Sequence, residues 1–351
     1  ELVYGAYSVS LLVAGLAAAP VGILIDRHGG RLVMSAGSVL AGLAVYWLSR
    51  AASAASLYGA WVLLGVAMSA TLYEAAFAVI NRKHGDEARR SISTLTLFAG
   101  FASTVFWPLT LHLSNEFGWR STYACYAVLH VIVCLPLHLL LGEAQACAMP
   151  SPARRRSHTL GEALKHPAFW LLAAAFAVNT LVFSTLTVHL IPLLTRLNHP
   201  LDFAVLAASL IGPTQVAGRV LERSFAGRVS PETVGKLTFC GLPLALAILV
   251  LFGGHGWAVA LFCTLYGASN GILTIVRATI PRSLFGPENY GAISGALAGP
   301  AMLSKAAGPV LAAWVLHRHG SGTTLLGGLL LLSLISFLLL GMSLDRRRVE
   351  L

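Results

Sequence analysis

The feature that most constrains this chain is a series of apolar runs, each about 20 residues long, which is the length a helix needs to cross about 30 Å of hydrocarbon. Lipid offers the backbone no hydrogen-bond partners, so we expect these runs to cross as α-helices. Only 11% of the residues are charged, whereas soluble domains have about 25%. The sequence therefore predicts an all-α, polytopic membrane protein.

Eleven of these runs are predicted to span the membrane. The predicted spans are Leu2–Ile25, Leu32–Leu48, Leu57–Ile80, Ile92–Leu113, Thr122–Leu141, Phe169–Leu194, Phe203–Gly227, Thr233–Gly253, Trp257–Pro281, Tyr290–Leu316 and Thr323–Leu344. Their connections are short, except for residues 142–168, which contain Pro150, Pro152 and three successive arginines.

Positive charge is distributed unequally between the two sides of the predicted spans. Counting the connections alternately places seventeen Lys and Arg residues on one side and four on the other. The four are Arg50, Arg120, Arg196 and Arg318. Because Lys and Arg stay on the cytoplasmic side, the C-terminus is predicted to be cytoplasmic in a multi-pass protein of a bacterial-type inner membrane. This distribution explains the net charge of +10 without nucleic acid.

The two halves of the chain show an internal repeat. A shift of 201 residues aligns Arg27 with Arg228 and Pro108 with Pro309. We therefore predict two pseudo-symmetric six-helix bundles: an N-terminal half at residues 1–141 and a C-terminal half at 169–351, joined by a cytoplasmic linker at 142–168. Parallel halves of this kind are typical of transporters, which bind substrate near the bilayer midplane.

A polar loop interrupts the apolar sequence after the first predicted span. It follows the pattern G-x-x-x-D-R-x-G-x-R, with Gly22, Asp26, Arg27, Gly29 and Arg31 in the fixed positions and Gly30 in the turn. In this pattern, and in its helix count and two-half layout, the chain resembles the major facilitator superfamily. In that family the loop joins the second and third helices, so the resemblance implies that the first helix is missing from this chain.

The glycines of this loop allow a tight turn, and Asp26 is placed to bond neighbouring helix ends or arginines in one conformation and release them in another. We therefore predict a conformational latch; the alternative is a loop that only fixes topology. The shift of 201 residues places Gly227 where the second half would carry the acid. A shift of 196 pairs Asp26 with Glu222 instead, but it fails along the rest of the chain.

Among the ionisable residues inside predicted spans, four are candidates for a functional role: Glu74, Arg219, Arg277 and Lys305. Each costs about 2.5 to 3.5 kcal/mol near a helix centre, so we expect them to face partners or a cavity. Glu74 and Arg277 come at similar depth on two helices that line the central path in facilitator folds. They are predicted to gate the cytoplasmic mouth, with snorkelling as the alternative; Glu74 is also a candidate proton-coupling carboxylate.

The other two cations lie deeper in their spans. Two cations facing one cavity favour an anionic ligand, because arginine forks onto a carboxylate and lysine adds a compact charge. Arg219 and Lys305 are therefore the predicted substrate-binding cations, with structural pairing as the alternative. Gln215, Asn179 and His189 are weaker substrate-binding candidates.

Two short stretches, HTLGEALKHPAFWLL and VHLIPLL, resemble the entry and the outer end of the seventh helix in monocarboxylate transporters and oxalate:formate antiporters. Gly218-Arg219 resembles the Gly-Arg of the eighth helix of those families, where the arginine contacts the substrate carboxylate. Lys305 lies in the helix that carries the antiporter lysine. The resemblance implies the same roles here.

The predicted function is secondary active transport of a small organic anion, a monocarboxylate, by a monomer in the lipid bilayer, with protons or a counter-anion as the coupling partner. No enzyme activity, cofactor, metal site or catalytic residue is predicted, since no nucleophile–base pair, metal-ligand set or nucleotide loop appears. The alternatives are a drug or metalloid efflux pump of the same fold and a non-transporting membrane sensor.

Overall fold

In a computed structural model of this chain, the described residues are 2–142, 157–225, 228–319 and 322–348, and every regular element in these ranges is helical. The α-helices are α1 (Leu2–His28), α2 (Gly30–Ser49), α3 (Ala54–Thr71), α4 (Tyr73–His84), α5 (Ala88–Ala99), α6 (Ala102–Leu129), α7 (Leu135–Leu139), α8 (Leu160–Lys165), α9 (Pro167–Arg196), α10 (Leu201–Ser209), α11 (Ile211–Phe225), α12 (Pro231–Phe252), α13 (Gly256–Phe285), α14 (Tyr290–His319) and α15 (Gly322–Arg348). A 3₁₀ turn (Gly85–Glu87) precedes α5, and a π-helical turn (His130–Cys134) precedes α7. The all-α class is confirmed.

Nine segments within the described ranges are long and apolar enough to cross a membrane. The prediction of a polytopic helical protein is therefore confirmed, although the number of spans is not. The predicted span Tyr290–Leu316 is a 30-residue helix, α14, but its glycines, prolines and Lys305 make it less apolar than the nine.

The predicted span Ile92–Leu113 does not form one helix. Helix α5 ends at Ala99 and α6 begins at Ala102. Helix α6 then runs past the predicted end of that span and includes Gly118, whose φ of 74° breaks the helical path. Glycine tolerates this conformation because it has no Cβ. Two predicted spans are thus connected by a single-residue kink, which hydropathy alone does not distinguish from a short loop.

The chain divides into two compact units. Unit 1 comprises Glu1–Ser91, Phe98–Ala163 and Phe285–Met302, and unit 2 comprises Ile92–Leu97, Leu164–Leu284 and Leu303–Leu351. Each unit takes most of its residues from one predicted half and a shorter segment from the other half. The simple division at residues 141 and 169 stays a prediction, and the arginine run of the linker lies outside the described residues.

In unit 1, α3 packs against both α1 and α2. Small residues at the crossings let these helices approach closely. A Cβ added at Gly65 would lie 2.6 Å from the carbonyl oxygen of Ser10. The edge of the Tyr7 ring meets Trp61, with ring centroids 5.8 Å apart. The packing of α1, α2 and α3 therefore depends on small residues where the helices cross and on aromatic rings beside the crossings.

In unit 2, α15 packs against α9 and α12, and the hydroxyl of Ser336 donates to the carbonyl oxygen of Ala175 at 2.9 Å. Helix α13 lies close to α11, because a Cβ added at Gly267 would be 2.7 Å from the Ile211 carbonyl oxygen. This close approach positions the polar side chains of α11 and α13 that are described below.

We predict that Gly267→Ala lowers the thermal unfolding temperature of the purified protein in detergent. The added methyl group would collide with the backbone of α11, and overpacking of this kind costs about 1–3 kcal/mol. Gly327→Ala is the matched control, because nothing lies within 4 Å of a Cβ at Gly327, and alanine in a helix is favoured over glycine by about 0.5–1 kcal/mol. Equal unfolding temperatures for the two variants would contradict the packing described here.

Candidate functional site

The polar loop of unit 1 is a sharp turn between α1 and α2. Gly29 has a φ of 83°, a conformation that only glycine adopts readily. Gly30 is buried against Val79 of α4. Arg27 and Arg31 are exposed. The turn therefore holds α1, α2 and α4 together at one end of unit 1.

Asp26 caps the beginning of α14. Its carboxylate accepts hydrogen bonds from the backbone N–H groups of Gly291, at 3.1 Å, and Ala292, at 2.8 Å. The first N–H groups of a helix have no partner within the helix, and they attract negative charge. Gly22 permits this contact, since its backbone lies directly against Gly291. Asp26 is thus bonded to a neighbouring helix end, and its action as a conformational latch stays a prediction.

Arg82 is part of the same cluster, which sequence reasoning missed. This residue lies in α4, and its guanidinium donates to the carbonyl oxygens of Ile25, at 3.2 Å, and Asp26. It therefore adds a side-chain donor to carbonyl groups at the end of α1, where the Ile25 carbonyl also accepts from the backbone N–H of Gly29. Its place in the last turn of α4, among other basic residues, gave no sign of this role.

Unit 2 also contains a carboxylate at a helix crossing, the buried Glu222 of α11. Its side chain is 4% exposed and accepts a hydrogen bond of 2.6 Å from the hydroxyl of Ser93 in α5. Arg223, the next residue, donates to the hydroxyl of Thr94. Sequence reasoning missed this cluster because it followed the 201-residue shift to Gly227, which lies outside the described residues. The sequence did contain one sign of this cluster: a shift of 196 residues aligns Asp26 with Glu222.

Arg219 lies one turn before this carboxylate in α11. Its side chain is 7% exposed, and its guanidinium donates to the carbonyl oxygens of Thr96, at 2.9 Å, and Gly271, at 3.4 Å. It therefore connects α5, α11 and α13. Gln215 is half-buried one turn earlier in the same helix, and its backbone lies against Gly271.

A second polar cluster of unit 2 lies between α9 and α13. Arg277 of α13 donates to the hydroxyl of Thr180, and its guanidinium carbon is 5.9 Å from the centroid of the Phe176 ring. Asn179 is 1% exposed, and its Oδ1 is buried with no hydrogen-bond partner. The structure thus brings Asn179 and Arg277, two predicted site residues, to the same part of α9.

Helix α14 meets α9 nearby in the same unit. The Nε2 atom of His189 lies 3.0 Å from the carbonyl oxygen of Pro309. A Cβ added at Gly308 would be 2.8 Å from the carbonyl oxygen of Leu181. Lys305 lies one turn before Gly308 in α14 and is exposed.

Glu74 lies in unit 1. The helix that contains it is broken at Leu72, between α3 and α4, and Glu74 lies in the first turn of α4. An acid in a first turn is stabilised by the helix dipole. Glu74 and Arg277 belong to different compact units, and their action as a gate stays a prediction.

Long apolar helices, with charged side chains bonded where they cross, define a polytopic helical membrane protein. The sequence comparison is specific: residues 2–309 match the Major Facilitator Superfamily, and the chain belongs to that family. It is therefore a transporter rather than an enzyme, as predicted. The narrower resemblance, to monocarboxylate transporters and oxalate:formate antiporters with a missing first helix, stays a prediction.

Among relatives, the chain is 21% identical over 245 residues to the nitrite extrusion protein of Bacillus subtilis (strain 168), which corresponds to 69% of this chain and 60% of that protein. It thus spans less than two thirds of that relative's length. Its fold resembles the human organic anion transporter MFSD10, with a TM-score of 0.72, 19% identity and coverage of 97% and 82% of the two chains. It also resembles the Escherichia coli fucose:proton symporter FucP, with a TM-score of 0.75, 13% identity and coverage of 97% and 90%.

We predict that Asp26→Ala speeds hydrogen–deuterium exchange in the first turn of α14 and lowers the unfolding temperature. Loss of a capping carboxylate costs about 0.5–2 kcal/mol. Asp202→Ala is the control, because Asp202 is an exposed acid in the first turn of another helix, α10. Exchange at Gly291 and Ala292 that is unchanged in the Asp26 variant would show that the cap contributes nothing.

We predict that Ser93→Ala and Glu222→Gln are strongly non-additive in their effect on the free energy of unfolding. The two side chains share one buried hydrogen bond, and contacting residues show coupling energies of about 0.5–3 kcal/mol. Thr264→Ala combined with Glu222→Gln is the control cycle, because the Thr264 hydroxyl bonds the carbonyl oxygen of Ala260 in its own helix. If the coupling energy of Ser93 and Glu222 were as small as that of the control pair, the hydrogen bond between these two side chains would not contribute to stability.

Proposed function

We propose that this facilitator-family transporter moves a small organic anion, a monocarboxylate, by alternating access. The observation that carries the proposal is the charge of three helices of the C-terminal half. Helices α11, α13 and α14 contain Arg219, Arg277 and Lys305, and Glu222 is the one acidic residue in their sequences. Ionisable residues within membrane-spanning segments are costly and commonly mark the path of a substrate or an ion.

The names of two similar proteins support an anionic substrate. The Bacillus subtilis relative is named for nitrite, and the human protein of similar fold is named an organic anion transporter. Nitrite and carboxylate are both planar groups with two charged oxygens, the shape that a guanidinium binds with two parallel hydrogen bonds. The shared chemistry is therefore a small planar oxyanion, and a carboxylate is the form we propose.

In this proposal Lys305 and Arg219 neutralise the anion, and Gln215, Asn179 and His189 contribute polar contacts. Asp26, with Gly22, Arg27, Gly30 and Arg31 around it, acts as the conformational latch, which holds the end of α14 in one conformation and releases it in the other. The coupling partner is either a proton or a counter-anion. Glu74 is the acid proposed for proton coupling or gating. The protein as a whole is proposed to lie in the inner membrane of a bacterial-type cell.

The second candidate function is export by the same fold. The Bacillus subtilis relative is named an extrusion protein, which favours outward movement of its anion. Export of a drug or metalloid would not need Arg219 or Lys305, whereas export of a carboxylate would. The direction of transport and the chemistry of the substrate are therefore separate questions, which the following experiment separates.

We predict that the purified full-length protein in proteoliposomes exchanges labelled monocarboxylates in a counterflow assay, which detects transport in either direction. Lys305→Gln is expected to reduce exchange at least tenfold, because loss of one ion–anion contact of about 1.4 kcal/mol corresponds to a factor of ten. Lys236→Gln is the control, since Lys236 is a solvent-facing lysine 3.9 Å from Asp345.

The panel contains acetate, lactate, pyruvate and formate, with nitrite and a neutral sugar beside them, each measured with and without a pH gradient. Saturable carboxylate exchange that fails in Lys305→Gln supports the proposal. Exchange of nitrite alone would replace the carboxylate with an inorganic anion. Absence of exchange with every anion would overturn the proposed substrate class.

A further inference from the structure

We infer that His130 and His138 form a proton-binding site in unit 1, where a π-helical turn and α7 pack against a polar face of α2. The ligand is a proton, because imidazole is the side chain that gains and loses one near neutral pH. Occupation of the site makes transport depend on pH. The site itself does not depend on which substrate is carried, whereas its effect on transport rests on the proposed function.

The π-helical turn aligns the two histidines. In an uninterrupted α-helix, the eight residues from His130 to His138 would make about 2.2 turns and leave the two side chains on different faces. The π-helical turn His130–Cys134 takes up one residue more than an α-helical turn, because its hydrogen bonds join residues five apart. The eight residues therefore make close to two turns, and both histidines face α2. Such turns are rare and frequently occur at functional sites.

Helix α2 contacts both histidines. The Oγ atom of Ser38 lies 2.7 Å from Nδ1 of His138, and the carbonyl oxygen of Met34, one turn earlier in α2, lies beside the same ring. Further along α2, a Cβ added at Gly42 would lie 3.6 Å from the Cβ of His130. A hydroxyl and a carbonyl oxygen can each accept a hydrogen bond from a protonated ring. The positive form of His138 therefore has acceptors already in place.

Two polar atoms of this region are buried and have no hydrogen-bond partner. They are Nδ1 of His130 and Oγ of Ser35 in α2. Ser35 is 7% exposed and comes three residues before Ser38, which places both hydroxyls on one face of α2. Buried polar atoms nearly always have partners, and an exception calls for a functional explanation. In the tautomer that carries its proton on Nε2, the Nδ1 atom of His130 has a free lone pair for a second proton.

The elements packed around the two histidines are α2, α6, the π-helical turn and α7. Besides the two histidines, their titratable and charged residues are Arg31 and Tyr46 in α2, Cys134 in the π-helical turn, and His112, Glu116, Arg120, Tyr123, Cys125 and Tyr126 in α6. Glu116 is the one acid among them, and it is exposed and precedes His130 by 14 residues. This separation is about 21 Å along a helix.

The charge that acts on His130 is therefore that of His138. Cys134 lies between the two histidines in the sequence, and Tyr126, one turn before His130, has its hydroxyl bonded to Thr110. Since two positive rings repel each other, the first proton opposes the second. The two histidines should consequently titrate as a coupled pair.

A proton at the site changes the contact between α2 and α7. A protonated ring donates from both nitrogens, so Ser38 can only accept from His138, whereas it can also donate to the neutral ring. His138 lies in the last turn of α7, opposite the first part of α2, which is the end predicted to face the cytoplasm. We therefore expect cytoplasmic pH to set the proton occupancy and, through the contact with α2, the rate of transport.

The test is a titration of the purified full-length protein with isotope-labelled histidine between about pH 5 and 8, followed by NMR of the imidazole nitrogens. The two signals are assigned by their loss in His130→Gln and His138→Gln. We expect each substitution to shift the midpoint of the remaining ring by about one pH unit. Two charges about 11 Å apart interact that strongly at an effective dielectric constant of about 20.

Two further variants complete the titration. Ser38→Ala keeps both rings and removes the hydroxyl beside one of them, so we expect it to shift the midpoint of His138 and to keep the coupling between the rings. It also serves where a histidine variant fails to fold, which its unfolding temperature shows. His112→Gln is the matched control, because His112 is an exposed histidine of α6. We expect it to leave both midpoints unchanged.

The effect on transport is measured by counterflow in proteoliposomes over the same pH range. We expect the exchange rate of the wild type to change with pH and that of the variant with both His130→Gln and His138→Gln to stay constant, with His112→Gln like the wild type. An unchanged pH profile in the folded double variant would overturn the effect on transport.

The outcomes separate this inference from the proposed function. If the two rings of the folded protein stayed neutral throughout, or titrated independently of each other, the proton-binding site would be overturned. Coupled titration that is altered in Ser38→Ala and kept in His112→Gln would support it. Absence of exchange with every substrate of the panel would count against the proposed function, and the titration would still decide the proton-binding site.

Discussion

The structure of this transporter depends on hydrogen bonds from charged side chains to the backbone of neighbouring helices. Lipid supplies no donors or acceptors, so a helix end inside or beside the bilayer needs a partner from the protein. Asp26 accepts from two N–H groups of α14, Arg82 donates to carbonyls of α1, and Arg219 donates to carbonyls of α5 and α13. These side chains are therefore part of the fold as much as of any mechanism.

Such contacts form only where helices approach closely. Gly22 lies against Gly291 beside the Asp26 cap, and Gly271 lies against Gln215 beside Arg219. A larger residue at these positions would separate the helices and leave the charged side chain too far from the backbone it bonds. The small residues and the charges therefore act together: close packing brings the charged side chain to the neighbouring backbone, and at Asp26 the carboxylate bonds the first N–H groups of α14.

Sequence reasoning predicted the fold class and the family well, because length and hydropathy leave few alternatives for a chain of this kind. It was weaker wherever a helix changes direction. The predicted span Ile92–Leu113 is divided between two helices, and Gly118 joins two spans within α6, since hydropathy is insensitive to a single kink. It also missed Glu222. The repeat along the whole chain requires a shift of 201 residues, whereas only a shift of 196 aligns Glu222 with Asp26. The sequence predicted which helices contain the candidate site residues of α9, α11 and α14, but it did not predict the contacts of their side chains.

The sequence by itself determined that the chain spans a membrane, that it belongs to a transporter family and that a few charges lie where they are costly. These properties follow from composition and short motifs, which act through the energy of single residues in lipid. Only the tertiary structure decided what each charge contacts. Arg219 and Arg277 look alike in the sequence, but one bonds backbone carbonyls between helices and the other lies over a ring beside an unsatisfied amide. That difference depends on contacts between residues far apart in the chain, such as Arg277 with Thr180, which no local pattern records.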